Sequence, residues 1–446
     1  MAEREQWATR LGFILAAVGS AVGLGNIWRF SYVAGENGGA AFLLIYILCI
    51  LLIGLPVILA EFSIGRRGQS DVVGSFTKIA PGKPWALGGI FGVVSAFTIL
   101  SFYGVIAGWV VYFLYAYVTG IAQGVEGGTY DEFFFGAIGG AVGPVFWQFL
   151  FMAIVIFIVF FGVKKGIELS NRIFMPLLAV LIIILAGFAL TLDGAGEGLR
   201  FMFSPDWSAF GEPGVYAAAI GQAFFTLSLG MGAMITYASY LPKDTKLPSA
   251  AGTVVTLDTL FAIVAGIMIF PAVFTFANID PTDGAGLIFI TLPEVFNLMG
   301  GAGTFFAIVF FFLVAIAALS SAISLLEVSV AYAMRQFSWN RKKATIVAGV
   351  IVTLFGVPSA LSYGGPLSDF LIFGMPFLDA VDALTDRYLL ALGGMISALF
   401  VGWGWNKVDA LRETGLTDTT IGAIWIWFIR IVAPLGILWI LILNIF

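Results

Sequence analysis

Histidine is absent from this 446-residue chain, and cysteine occurs once. Without an imidazole there is no haem or histidine-bearing zinc ligation and no histidine acid–base catalysis. Cys49 lies inside the apolar run AFLLIYILCILLIGLPVIL, which excludes a disulfide framework and a cysteine metal cluster and makes buried filler its expected role. Charge is scarce too: Asp, Glu, Lys and Arg make up 11% of residues, where a soluble fold uses about 25%. What fills the chain is hydrocarbon, 60% of residues being hydrophobic. These proportions define an all-α polytopic membrane protein. The net charge of −5 decides little, because in a membrane protein the placement of charges matters more than their sum.

Apolar stretches long enough to cross a bilayer number about eleven, at roughly 11–33, 41–62, 86–118, 146–163, 168–192, 214–240, 252–275, 304–333, 344–361, 376–404 and 421–445. With the N-terminus inside, 17 of the 21 basic residues fall on the cytoplasmic side, as short basic loops require. The opposite loops carry acids such as Glu126, Asp131, Glu132, Asp193, Glu197, Asp206 and Glu212. An odd number of spans then leaves the C-terminus outside, in a cell membrane. The first apolar run lacks a cleavage site and is too long for a signal-peptide core, so it is expected to remain as span 1. The outer segment 276–303, with two Pro and several Gly, reads as a structured cap. Nothing points to nucleic acid, and the oligomeric state is not legible.

Two spans are interrupted. Span 1 contains GSAVGLGN, Gly19 to Asn26, and span 6 contains TLSLGMGA, Thr226 to Ala233. Each interior glycine costs a helix about 1 kcal/mol, so such clusters invite unwinding. Close packing through small residues such as Gly19 and Gly23 explains either span alone. Their occurrence at corresponding positions of two five-span halves, about 8–192 and 213–404, fits an inverted repeat whose broken helices build a midplane site; an additional helix follows at about 421–445. Freed carbonyls ligate a small hard cation, and freed N–H groups at a half-helix start bind an anion. Oxygen-bearing side chains lie close by: Ser20 and Asn26 in span 1, Thr226 and Ser228 in span 6, Asp258 in span 7, Ser320 and Ser321 in span 8. An unpaired mid-membrane carboxylate costs about 2.5–3.5 kcal/mol, so Asp258 calls for a partner, and a bound cation supplies one.

At these residues the chain resembles a known family. REQWATRLGFILAAVGSAVGLGNIWRF (4–30), SFYGVIAGW (101–109), GQAFFTLSLGMGAMITYASY (221–240) and ALSSAISLLE (318–327) are similar to helices 1, 3, 6 and 8 of the neurotransmitter:sodium symporters, which have the bacterial leucine-transporter fold. The resemblance runs from Arg4 to the end of the chain. It implies a first sodium ion held by the carbonyl of Ala21 with Asn26, Thr226, Asp258 and the substrate carboxylate. It implies a second held by the carbonyls of Gly19, Val22 and Ala317 and the hydroxyls of Ser320 and Ser321. The substrate carboxylate would meet the N–H groups of Leu24 and Gly25 and the hydroxyl of Tyr103. Phe225 would roof the pocket, with Ile99, Ser228, Met231, Ser321 and Leu325 facing the substrate side chain and Ala21 and Thr226 also in contact with substrate.

Monoamine carriers of the family place an aspartate at the position of Gly23. Its absence here, beside free N–H groups, favours a ligand with its own carboxylate, and apolar walls would leave a polar side chain unsatisfied. The expected substrate is a neutral hydrophobic L-amino acid in the Leu, Ile, Met, Phe, Trp range. Chloride-dependent relatives bind the anion near positions matching Tyr46, Gln222, Thr226, Asp258 and Ala262, with Asn and Ser at the last two. Here the Asp258 carboxylate supplies the negative charge and would repel chloride by about 4 kcal/mol at roughly 4 Å in an effective dielectric of about 20. Chloride independence follows, and proton antiport through Asp258 is a possible accompaniment.

The resemblance also implies an outer gate at Arg29, paired with an acid on span 10, Asp382 or Asp379. At the inner gate, the Arg4 position pairs with an acid at the end of span 8, supported by Trp7 and Tyr240; the matching residue here is Arg335, a departure that requires another acid or weakens the gate. Gly166 and Pro176 bracket a segment of span 5 able to unwind and admit water to the second sodium; an ordinary helix start is the alternative. Glu61 and Glu327 read as structural acids bonded to helix ends. The expected mechanism is alternating access with one or two sodium ions and no covalent catalysis. A channel, an intramembrane aspartyl protease, a non-transporting amino-acid sensor and a carrier of a small osmolyte or amine are the rivals. The protease needs a second midplane aspartate, which the sequence does not offer.

Overall fold

The computed structural model describes residues 5–122, 125, 130–275 and 286–443. Nine of the described helices are long and apolar enough to cross a membrane: Ala40–Gly68, Ala86–Val118, Val142–Phe160, Val163–Ala189, Leu247–Thr275, Gly301–Gln336, Arg341–Ala360, Phe377–Gly404 and Thr420–Leu443. They are spans 2–5 and 7–11. The remaining two crossings are broken. Span 1 consists of Arg10–Ala21 and Gly25–Glu36, bent by 49°, and span 6 of Pro213–Thr226 and Ala233–Ala238. Both interruptions are present; among the described residues nine continuous helices and the bent pair of span 1 are long and apolar enough to cross, and the two short halves of span 6 make the eleventh expected crossing.

The local causes are visible in the backbone. Span 1 starts where the Thr9 hydroxyl caps the Gly12 N–H, which satisfies one of the orphan donors of a helix start. It stops at Val22, which is extended, and the chain re-enters a helix at Gly25 as a wide π turn. Span 6 starts on Pro213, the residue type preorganised for a first turn. It ends at Thr226 because Ser228, Gly230 and Gly232 all have positive φ. A Cβ on Gly230 would also lie 2.1 Å from the Leu390 carbonyl oxygen, so span 10 passes where only glycine fits.

Unwound backbone at membrane depth has to find partners inside the protein. Glu61 of span 2 accepts the Gly230 N–H at 2.9 Å, Gln222 Nε2 donates to the Gly25 carbonyl at 2.8 Å, and Ser228 Oγ donates to the Ser20 carbonyl at 2.8 Å. The break in span 1 is thus stabilised by side chains of span 6, and that in span 6 by a side chain of span 2. Burial separates an inner bundle from its surround: the apolar window of span 8 is 72% buried, and those of spans 4, 5 and 11 only 33%. At one end of the bundle the helices Leu287–Thr291 and Leu292–Leu298 supply part of the expected cap, pinned by Phe289 stacked on Phe134 and edge-on to Trp109; residues 276–285 of that cap lie outside the described residues. Cys49 is buried, as its apolar context implied.

Candidate functional site: two oxygen clusters and an enclosed pocket

The break in span 1 faces the break in span 6, with spans 3, 7 and 8 around them. Asn26 Nδ2 donates to Asp258 Oδ1 at 2.7 Å and to the Asp258 carbonyl at 3.2 Å, and Thr226 Oγ1 donates to the same carboxylate oxygen at 2.9 Å. Asn26 Oδ1 in turn accepts the Gly23 N–H, which fixes the amide's orientation. Asp258 is fully buried, and its Oδ2, faced by the Tyr46 hydroxyl, makes no well-formed hydrogen bond among the described residues. A buried carboxylate with one free oxygen, beside an amide, a hydroxyl and unwound carbonyls, is a hard, all-oxygen donor set suited to an alkali cation.

A second cluster joins span 8 to the same break. Ser320 Oγ lies 2.8 Å from the Ala317 carbonyl and 3.4 Å from that of Val22. Ser321 Oγ lies 3.4 Å from the Gly19 carbonyl and 3.2 Å from that of Ser20. The five residues expected to form one ligand set, Gly19, Val22, Ala317, Ser320 and Ser321, are therefore brought together.

Between the clusters is a narrow cavity of about 20 Å³, walled by Ser20, Ala21, Gly23, Gly25, Ile99, Tyr103, Phe225, Ser228, Met231, Ser321 and Leu325. Of the residues expected to contact substrate, Leu24 and Thr226 are not in the wall. Leu24 nevertheless turns its N–H to Tyr103 Oη at 3.4 Å. A Cβ at position 23 would lie 2.2 Å from Ser321 Oγ, so glycine there is a steric requirement as well as an absence of charge. Ser20, which reading by residue type had only placed nearby, both lines the cavity and bonds Ser324 at 2.7 Å. Gln222 was considered only for chloride, yet it links the Gly25 carbonyl to Arg29 Nη1. An amide one turn from a helix break carries no sequence signal for that bridge.

Both ends of the cavity are closed. Above it, Arg29 stacks 4.8 Å over the Phe225 ring and pairs with Asp386 at 2.6 Å. This corrects the expected partner Asp382, and equally Asp379, which instead accepts from the Tyr363 hydroxyl. The reason is local: span 10 opens into a π turn over Thr385–Leu389, and Asp386, one turn beyond Asp382, presents its carboxylate to Arg29. Below the cavity, Trp7 is buried, with Nε1 on the Tyr237 carbonyl at 2.8 Å and its ring edge-on to Tyr240. Arg4 lies outside the described residues. Arg335 pairs with Asp71, and inner closure falls to a different group. Arg341 binds Glu327 through both terminal nitrogens and Glu5 at 2.9 Å, and the Tyr240 hydroxyl donates to Glu327. Glu327 is thus part of this closure and not a helix-end acid, whereas Glu61 does serve the broken end of span 6. The Gly166–Pro176 segment is wound, within the continuous helix Val163–Ala189.

Broken spans that enclose a small polar-ended cavity, closed above and below, are the architecture of an alternating-access carrier. The sequence matches the profile described as the Sodium:neurotransmitter symporter family over residues 4–123 and 138–446, and the chain belongs to that family. It is 40% identical to a sodium-dependent transporter of Bacillus subtilis, YhdH, over 97% of this chain and 96% of the relative. It is 36% identical to one of Methanocaldococcus jannaschii over 97% and 89% of the two chains. A sodium-dependent nutrient amino acid transporter of Drosophila grimshawi is 28% identical over 90% of this chain and 70% of its own length. A crystal structure of MhsT in complex with L-phenylalanine superimposes with a TM-score of 0.93 at 59% identity, covering the whole of both chains. The chain is a multi-pass membrane symporter coupled to sodium, with the leucine-transporter fold, and is not an enzyme.

Proposed function

We propose that this protein imports neutral, hydrophobic L-amino acids, in the range Leu, Ile, Met, Phe and Trp, together with two sodium ions and without chloride. The observation that carries the reading is the fully buried Asp258 with one unsatisfied oxygen, beside a cavity whose far walls are Ile99, Met231 and Leu325. The first ion is assigned to Asn26, Thr226, Asp258 and the Ala21 carbonyl, the second to Gly19, Val22, Ala317, Ser320 and Ser321. The substrate carboxylate is assigned to Tyr103 and the N–H groups of Leu24 and Gly25. Gly23 leaves no room for the acid that would hold an amine, and the titles of similar proteins, an L-phenylalanine complex and a nutrient amino acid transporter, support the substrate class. The Asp258 carboxylate stands for the charge that chloride would otherwise bring.

The chain acts as one transporter unit in the cell membrane, its N-terminus cytoplasmic and its C-terminus outside, with repeats at about 8–192 and 213–404. Two ions moving inward across 100 mV contribute about 4.6 kcal/mol, which corresponds to more than a thousandfold accumulation at about 1.4 kcal/mol per decade.

The test is uptake of radiolabelled leucine and tryptophan into proteoliposomes under an inward sodium gradient, with potassium as the control and with chloride replaced by gluconate. Sodium-driven accumulation that is indifferent to chloride is expected. Binding without accumulation points to a sensor, and a need for chloride removes the role given to Asp258. Failure to bind any neutral amino acid sends the search to amines and osmolytes.

A further inference from the structure

The Ser320–Ser321 cluster sits where spans 1, 5 and 8 pack on one another. Spans 1 and 8 supply its oxygens, and span 5 is the third wall. Two polar side chains on that wall behave differently. Glu168 uses both carboxylate oxygens, accepting from the Ala8 N–H at 2.7 Å and the Thr9 hydroxyl at 2.9 Å, and so ties down the chain before span 1. Asn171, one turn on, is fully buried. Its Nδ2 donates back to the Ile167 carbonyl at 2.9 Å, while its Oδ1 has no donor among the described residues.

That free oxygen faces Gly19 of span 1. A Cβ on Gly19 would lie 2.1 Å from Asn171 Oδ1, and Gly19 is the residue whose carbonyl meets Ser321 Oγ. Leaving a buried amide oxygen unsatisfied costs about 1–3 kcal/mol, and such an exception in a folded protein calls for a cause. A neutral amide oxygen is also a hard ligand that holds an alkali ion weakly, which suits a group that passes an ion on. Asn171 stands midway between Gly166 and Pro176. Pro176 has no N–H for the Arg172 carbonyl one turn back, so the helix lacks a backbone bond next to Asn171.

We propose that Asn171 Oδ1 is a transit ligand for the second sodium ion, taking the ion from the Gly19 carbonyl on its way to the cytoplasm as span 5 loosens. The proposal rests on the reading of the Ser320–Ser321 cluster as a sodium site. In the closed state the ion keeps its five assigned ligands, so Asn171 contributes little to equilibrium affinity. On exit it replaces a ligand that is being lost, so it acts on the release rate.

The experiment uses the full chain in proteoliposomes with leucine as the probe and the variants Asn171→Ala and Asn171→Ser. Three quantities are compared: equilibrium leucine binding against sodium concentration, net uptake into a sodium-free lumen, and leucine exchange with saturating sodium on both sides. Net uptake requires sodium to leave inward and exchange does not. Asn171→Ala is expected to slow net uptake about tenfold, the loss of roughly one ligand's worth of barrier stabilisation. Exchange and the half-saturating sodium concentration should stay within about twofold, and Asn171→Ser, which keeps an oxygen, should recover part of the rate. A parallel fall in exchange and net uptake makes Asn171 merely structural and overturns the proposal, as does unchanged net uptake. If Ser320→Ala combined with Ser321→Ala leaves the sodium dependence of wild-type binding intact, the sodium-site reading itself fails, and that outcome is recognised without any Asn171 variant.

Discussion

In the proposed pocket Asp258 offers a charge and Tyr103 a hydroxyl. Asp258 is buried with a free carboxylate oxygen, and removing one partner of a buried charge interaction costs about 3–5 kcal/mol. Asp258→Ala should therefore abolish sodium-dependent leucine binding over the range in which the wild type saturates, as measured by sodium titration of radioligand binding. Tyr103 faces the Leu24 N–H across the span 1 break. Tyr103→Phe keeps the ring and loses one charge-assisted hydrogen bond to the substrate carboxylate, worth about 1.5–3 kcal/mol. Leucine affinity should fall by about tenfold or more, while affinity for sodium in the absence of leucine stays unchanged. At this scale the residue types were legible: Asn26 and Thr226 lie in the glycine-interrupted stretches, Asp258 is a carboxylate within an apolar span, and Ser320 and Ser321 lie in a segment that resembles the family's helix 8. Asn171 and Gln222 were not, because their meaning depends on which of their atoms lacks or finds a partner.

The breaks in spans 1 and 6 are element-scale features, and their cause is steric as much as conformational. Gly230 combines positive φ with a Cβ direction that ends 2.1 Å from the Leu390 carbonyl. Gly252, inside span 7, has open space in that direction. Gly230→Ala should lower thermal stability in detergent by several degrees or prevent folding, the expected result of forcing a strained backbone at about 1–3 kcal/mol. Gly252→Ala should be neutral or stabilising by up to about 1 kcal/mol. Equal effects of the two changes would remove the argument that the break is held open by span 10. Glycine clustering announced the interruptions in advance; that spans 1, 2, 6 and 10 satisfy one another's freed groups required the assembled bundle.

Over the whole molecule, two ion-pair groups hold the cavity shut, and they are unequal. At the inner face Arg341 is mostly buried against a fully buried Glu327, whereas Glu5 is 37% exposed. Arg341→Gln strands a buried charge and should destabilise the protein by about 3–5 kcal/mol. Glu5→Gln should cost about 1 kcal/mol or less; melting temperatures of the two variants check the order. At the outer face Asp386→Asn should open the path above Phe225 more than Asp382→Asn does, because only Asp386 pairs with Arg29. The readout is thiol labelling from outside of Ile99→Cys in a Cys49→Ala background, a design made simple by the single native cysteine. Equal labelling in the two variants would return the gate to Asp382.

Span number, the two interruptions and the oxygen-bearing side chains follow from composition and order along the chain. A bilayer demands apolar runs of set length, and glycine clusters weaken a helix wherever it packs. Partner choice was decided by tertiary structure. Arg29 pairs with Asp386, one helical turn beyond Asp382, where span 10 opens into a π turn. Inner closure passes to Glu5, Arg341 and Glu327 because three segments far apart in sequence meet at one point. An ion pair depends on distances of a few ångströms between separate helices, and no periodicity within a single helix encodes those distances.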